Sequence, residues 1–353
     1  MRQMSIYESL GVRRVINACG IYTDLGGARL GGAAWAAAVE ANSTWASMDE
    51  LLDHSGARIA SLCGAEAARV VPGASAGIAL AIGACIARGD GAAMEELPLT
   101  DAVVLMQRGH EYKYARCAKL AGARVEWMDP PARIAPGAAA VLHPAHLDDR
   151  AMPLAELAPL ALAAGVPVVV DAAYQCFPLS DLRRWASAGD VACVSAKYFW
   201  GPNAGGFVAG RAGLVADIAA LDFTGYESGP WRTFGRAFKL DRAAVAATCG
   251  ALEEWFATDH EARLRGYAEI AQELADRLPG AELKHFTLDE RLVDGPVNAV
   301  VVEGAAALEP ALAARDPSIR AIVAGDSLAF CTEALTSGEV IEIGDAMSEV
   351  SPN

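Results

Sequence analysis

The feature that most restricts the fold is a rhythm of short apolar runs and helix-patterned stretches between residues 69 and 209. Residues 69–71, 102–106, 124–128, 138–142, 166–170, 191–194 and 206–209 are short and apolar and read as strands. Residues 78–88, 114–121 and 154–164 lie between them and read as helices. Unbroken apolar strands are covered on both faces, and strands alternating with helices pair in parallel. The expectation is therefore an α/β domain on a mainly parallel sheet.

The flanks have a different character. Residues 1–32 read as an irregular arm with several glycines, and residues 34–63 carry helix-spaced apolar positions. Residues 242–259 and 261–277 read as long amphipathic helices. Residues 296–302 and 321–330 read as strand material, the latter around Gly325 and Asp326. The expected division is an arm at 1–32, a large domain at 33–240 and a small α+β domain at 241–353.

Composition narrows the partners. A 53% hydrophobic and 21% charged chain can bury a core. Its net charge of −15 repels nucleic acid and anionic membranes, and no Lys/Arg run offsets it. None of the eight cysteines forms a CxxC pair, and most lie in apolar segments, as free thiols in a reducing compartment do. The N-terminus lacks the apolar core of a signal peptide, and the apolar stretches are broken short of a membrane span. A cytoplasmic location is expected. No metal site is expected: His143 and His146 flank Pro144 without a completing set of ligands.

The chemistry centres on Asp171 and Lys197. Asp171 ends the apolar run VPVVVD, so its carboxylate emerges at a strand C-terminus, the edge at which open α/β sheets bind ligands. Lys197 follows the next strand, inside the apolar and aromatic stretch 196–202. A strand-terminal Asp is often only a cap or turn residue, and a lone lysine is usually solvated. Such flanks do not suit a solvated face. Pyridoxal 5′-phosphate (PLP) needs both groups: an anion that keeps the pyridine nitrogen protonated, and a lysine that forms a Schiff base and shuttles protons at the substrate Cα.

A phosphate cup completes the set. The turn Gly73-Ala74-Ser75-Ala76 follows a strand and opens a helix, where backbone N–H groups and the Ser75 hydroxyl suit a phosphate. Tight helix-on-sheet packing explains such a turn equally well. Ser195 is a further phosphate candidate. The same turn, through Gly77, also matches the G-x-S-x-G nucleophile elbow, and Asp171 with His260 or His285 would give the hydrolase order. That alternative leaves Lys197 without a role. His110, after the strand at 102–106, is placed to stack on the pyridine ring. Ala173 is small enough to pack under the other ring face, and Gln175 is within reach of the ring hydroxyl.

These residues sit in a wider pattern. The opening 7–20 (YESLGVRRVINACG), Gly56-Ala57-Arg58-Ile59-Ala60 and Gly64-Ala65-Glu66-Ala67-Ala68 are its first parts. The 73–77 turn, Val170-Asp171-Ala172-Ala173, Ser195-Ala196-Lys197 and Gly235-Arg236-Ala237-Phe238-Lys239 continue it. Together they resemble the selenocysteine synthase (L-seryl-tRNA selenium transferase)-like and D-glucosaminate-6-phosphate ammonia-lyase-like family of fold-type I PLP enzymes. The resemblance runs from residue 5 to about 260. It implies an aspartate-aminotransferase-like fold with a seven-stranded type of sheet and a homodimer with active sites at its interface. It also implies Lys197 as the Schiff-base lysine, Asp171 at the pyridine nitrogen and Ser75 at the phosphate. Arg236 is the candidate for the substrate carboxylate, which a guanidinium grips bidentately. A structural salt bridge is the alternative. Asn17 and Arg29 are candidates to line the substrate site.

Two departures mark a distinct pocket: Cys19 stands where the family carries Ser or Thr, and residues 223–234 are rich in aromatics. The charge and the lack of a tRNA-binding module argue against a tRNA substrate. The expected function is a PLP-dependent lyase acting at Cα and Cβ of a small amino acid. A transferase, a racemase or aldolase, and a catalytically silent partner protein are the alternatives.

Overall fold

The computed structural model describes residues 5–130 and 133–350. The first four residues, part of the stretch read for a targeting signal, lie outside it. The chain forms two compact units. One is Arg29–Ala257; the other joins the residues up to Ala28 to those from Thr258 onward.

The larger unit is built on seven strands. They are β1 (Ala67–Val71), β2 (Val103–Gln107), β3 (Arg124–Met128), β4 (Ala140–Pro144), β5 (Val168–Asp171), β6 (Val191–Ser195) and β7 (Gly206–Gly210). They form one sheet in the order β1-β7-β6-β5-β4-β2-β3. Strands β2 to β6 run parallel, while β7 is antiparallel to both β6 and β1. The reversal follows from chain length. Residues 196–205 are too few for a crossover, which takes about a dozen residues or more, so the chain folds straight back.

Both faces of the sheet are covered, as the unbroken apolar strands require. Val168 and Val170 enter one core cluster and Val169 the other, which is the two-residue alternation of a strand. One face carries helices α1 (Gly32–Ser43), α2 (Met48–Cys63) and the helix Arg242–Ala257; the other carries α3 (Ala74–Ala87). Helix α2 lies so close to β1 that a Cβ at Gly56 would stand 2.1 Å from the Ala68 carbonyl oxygen. Helix α3 is buried almost all round, which explains its alanine and glycine content.

The observed division differs from the expected one at both ends. The helix Arg242–Ala257 stays with the large unit, because Val245, Ala251, Leu252 and Trp255 join its core. The boundary therefore falls after residue 257, not near 240. The arm is no separate body. Val15–Asn17 pairs in parallel with Ser318–Arg320, and Ile16 and Ala18 enter a core with Val300, Phe330 and Ile343. The smaller unit also holds a five-stranded antiparallel sheet and the helices His260–Ala275 and Ser337–Val350. Among the described residues, no helix is long and apolar enough to cross a membrane. All eight cysteines are free thiols, and seven are buried.

Candidate active site

Strand register brings the three expected groups to one edge of the sheet. Val71, Gly206 and Ser195 lie in one row across β1, β7 and β6, and Asp171 pairs with Cys193 on β6. The turns after β1, β5 and β6 therefore open on the same side.

Asp171 closes the fully buried strand β5 and is itself buried. Its Oδ1 accepts the Ala173 N–H at 3.1 Å, and its Oδ2 accepts the Tyr112 hydroxyl at 2.9 Å. Burial pushes the carboxyl pKa up; the Tyr112 and Ala173 hydrogen bonds pull it back. A carboxylate has room for a further donor beyond these two.

Lys197 sits in a 3₁₀ turn, Ala196–Phe199, that is fixed from both sides. The Ala196 N–H reaches the Gly205 carbonyl at 3.0 Å, and the Gly201 N–H reaches the Ala196 carbonyl at 2.8 Å. Phe199 is buried beside Phe207. Trp200 adopts a left-handed conformation at φ 62°, which is costly for a bulky residue, and its ring meets Trp255 at 4.9 Å. The aromatic flanks thus anchor the turn and leave Lys197 half-buried. Its Nζ stands 4.9 Å from the Tyr198 ring centroid. The Ser195 N–H donates to the Ala173 carbonyl at 3.0 Å, which ties the lysine strand to the aspartate loop. Ser195 is buried, while Ala173 and Gln175 are half-buried along that loop.

The candidate phosphate turn leads straight into a helix. Gly73 takes φ +83°, a conformation that favours glycine, and α3 starts at Ala74. Gly73, Ala74 and Ala76 are buried, whereas Ser75 is exposed at the helix start, where first-turn N–H groups lack helical acceptors. A Cβ on the facing Gly206 would come within 2.8 Å of the Gly73 Cα. This cradle, an ionisable carboxylate buried at a strand end and a half-buried lysine on the adjacent strand fit a PLP molecule.

His110, the residue expected to stack on the pyridine ring, is turned into the interior. The turn Arg108–His110 directs its ring inward, where it is completely buried and meets His143 edge-on at 4.7 Å. His143 in turn bonds Asp148 at 2.8 Å. Tyr112, two residues later, reaches the site instead. It begins a row of rings along the sheet edge: Tyr112 to His146 at 5.4 Å, His146 to Tyr174 at 5.5 Å and Tyr174 to Tyr198 at 5.8 Å. Each ring comes from the loop after one of the neighbouring strands β2, β4, β5 and β6. None of the four stands out in the sequence as part of this site. The available signal was an aromatic residue within five positions of each strand end.

The substrate candidates have the following surroundings. Arg236 forms an ion pair with Glu227, the salt bridge weighed as its alternative. Arg29 is exposed at the first position of the large unit. Asn17 belongs to the smaller unit, where its side chain bonds Gly20 and Cys19 within its own turn. The groups of the hydrolase alternative have other hydrogen-bond partners. Asp171 is engaged by Tyr112 and Ala173, His285 Nδ1 by the Pro296 carbonyl, and His260 Nδ1 by Arg263.

Comparison with known proteins agrees with this geometry. No family model matches the chain. It is 30% identical over 301 residues to a 5'-C-glycyluridine monooxygenase-decarboxylase of a Streptomyces species, covering 78% of this chain and 72% of that one. It is 29% identical over 272 residues to the D-glucosaminate-6-phosphate ammonia lyase of Salmonella typhimurium, covering 71% and 70%. A solved structure of D-glucosaminate-6-phosphate ammonia-lyase superposes with a TM-score of 0.83 over 99% of this chain and 98% of that one, at 24% identity. A Thermus thermophilus aspartate aminotransferase matches with a TM-score of 0.51 at 14% identity, over 98% and 94% of the two chains. The chain belongs to the D-glucosaminate-6-phosphate ammonia-lyase-like family of fold-type I PLP-dependent enzymes.

Proposed function

We propose that the chain is a PLP-dependent lyase that eliminates a β-substituent from an amino acid and releases ammonia. The observation that carries this is the arrangement of Asp171, Lys197 and the Ser75 turn at one sheet edge. When bound, PLP draws electrons from the substrate Cα. The chain's own groups do the rest. The first-turn N–H groups of α3 and the Ser75 hydroxyl hold the phosphate, with Ser195 at the same edge. Asp171 would hold the pyridine nitrogen and, when ionised, keep its proton in place. The Lys197 amine would hold the cofactor and would serve as the base that moves the proton at the substrate Cα.

The ring row suggests the kind of substrate. Two phenols and an imidazole, Tyr174, Tyr198 and His146, present flat faces with polar groups, which suits a hydroxyl-bearing side chain better than a purely aliphatic one. The names of both curated relatives denote amino acids with a carbohydrate part. Arg236 stays the candidate for the carboxylate, with Asn17 and Arg29 as further substrate contacts. The same reading has the chain working in the cytoplasm as a homodimer on a small molecule, without nucleic acid or membrane.

A second reading has one observation in its favour: the 30% identical relative is a monooxygenase-decarboxylase. Loss of the carboxylate instead of ammonia would follow. The test is a screen of hydroxyl-bearing amino acids against PLP-loaded protein, measuring keto acid, ammonia and carbon dioxide. Equal keto acid and ammonia support the lyase. Carbon dioxide without ammonia replaces it with the decarboxylase, and no turnover together with no visible cofactor band defeats the PLP enzyme altogether.

A further inference from the structure

We propose that Tyr112 is a positioning residue for the cofactor's pyridine nitrogen, acting through Asp171; this rests on the PLP reading above. The geometry is specific. The Tyr112 hydroxyl donates to Asp171 Oδ2 at 2.9 Å while the Ala173 N–H occupies Oδ1. The two donors fix the carboxylate plane from opposite ends and leave lone pairs for the ring nitrogen. Tyr112 is itself fixed, because its ring stands 5.4 Å from His146 and 6.0 Å from Tyr114.

The groups around the pair set its charge. The Cys193 thiol on β6 and the Cys117 thiol on the helix Lys113–Ala121 face it, and burial pushes both thiols up, so they stay uncharged. Burial likewise pushes the phenol of Tyr112 far up, so it stays a donor. The only ionised member is then Asp171. Burial works against that charge and the Tyr112 hydrogen bond works for it. An ionised Asp171 leaves the proton on the pyridine nitrogen. A carboxyl made more basic by loss of a donor draws that proton toward itself. Tyr112 therefore governs how strongly the ring attracts electrons, without contacting substrate.

The test uses holoenzyme loaded with ¹⁵N-labelled PLP and reads the pyridine nitrogen resonance against pH. In wild type the nitrogen should stay in its protonated range across neutral pH. In Tyr112→Phe, which keeps the ring, the resonance should move toward neutral pyridine. PLP affinity should also fall about tenfold, equivalent to about 1.4 kcal/mol. Should Tyr112→Phe fold poorly, 3-fluorotyrosine at position 112 gives the opposite sign: a stronger donor of the same shape that holds the nitrogen protonated to higher pH. A resonance and titration unchanged in both variants overturn the inference. Wild-type protein that takes up no PLP overturns the functional reading, and this inference with it.

Discussion

Replacing Gly206 with alanine tests the phosphate cradle without touching a polar group. The new Cβ would stand 2.4 Å from the Val194 carbonyl oxygen and 2.8 Å from the Gly73 Cα. Ordinary contact begins at 3.4 Å, so β7 must draw back about 1 Å from the Val194 carbonyl on β6 and about 0.6 Å from the Gly73 turn. Both obstructing atoms are backbone, so no side chain can rotate away. Overpacking of this kind costs about 1–3 kcal/mol of stability. The same displacement moves the first-turn N–H groups of α3 away from the phosphate. Losing one charge-assisted hydrogen bond there weakens PLP binding roughly ten- to hundredfold. Gly213→Ala is the control, since a Cβ at that helical glycine meets nothing within 4 Å. It should stabilise by about 0.5 kcal/mol and leave PLP affinity alone. Cofactor titration followed in the visible range, together with denaturant unfolding, measures both quantities. Gly206→Ala binding PLP as tightly as Gly213→Ala would refute the placement of the phosphate.

Other residues give independent checks. Asp171→Asn should lower turnover at least a hundredfold, at a cost of about 2.7–4 kcal/mol for one lost electrostatic stabiliser. Its unfolding stability should stay within about 2 kcal/mol of wild type, because the burial penalty leaves with the charge; steady-state kinetics and denaturation check the two halves. The His110–His143 pair predicts acid lability. Burial depresses both imidazoles, while Asp148 partly opposes this at each. An unfolded histidine takes up its proton near pH 6.5 and the folded pair does not, so stability is full above that pH. It is lost as pH falls from 6.5 through the depressed values, by about 1.4 kcal/mol per unit of depression. His110→Leu should make this acid limb shallower, leaving the part due to the burial of His143. Neither His110 nitrogen closes a hydrogen bond of good geometry, so the variant should cost little at neutral pH. An acid limb as steep as that of wild type, read by unfolding at several pH values, would contradict this.

Asp171 and Lys197 were legible because apolar strands end abruptly at a polar residue, and a strand C-terminus defines an edge. The seven strands were legible for the same reason. The reversal of β7 was not read, although the short connection 196–205 carried the signal. Tyr112 was hidden more deeply. Its bond to Asp171 spans 59 residues and exists only because β2, β4 and β5 are neighbours, which is a matter of strand order. The burial of His110 was not legible because local spacing does not reveal which residue of a tight turn points inward. The arm's pairing with Ser318–Arg320 joins the two ends of the chain, and no local pattern announces such a contact.

The central claim concerns one amine. Holoenzyme reduced with borohydride, digested and mapped by mass spectrometry should carry the phosphopyridoxyl group on the peptide containing Lys197, and Lys197→Ala should carry none. A label on another lysine, or no label on wild-type protein loaded with PLP, would contradict it.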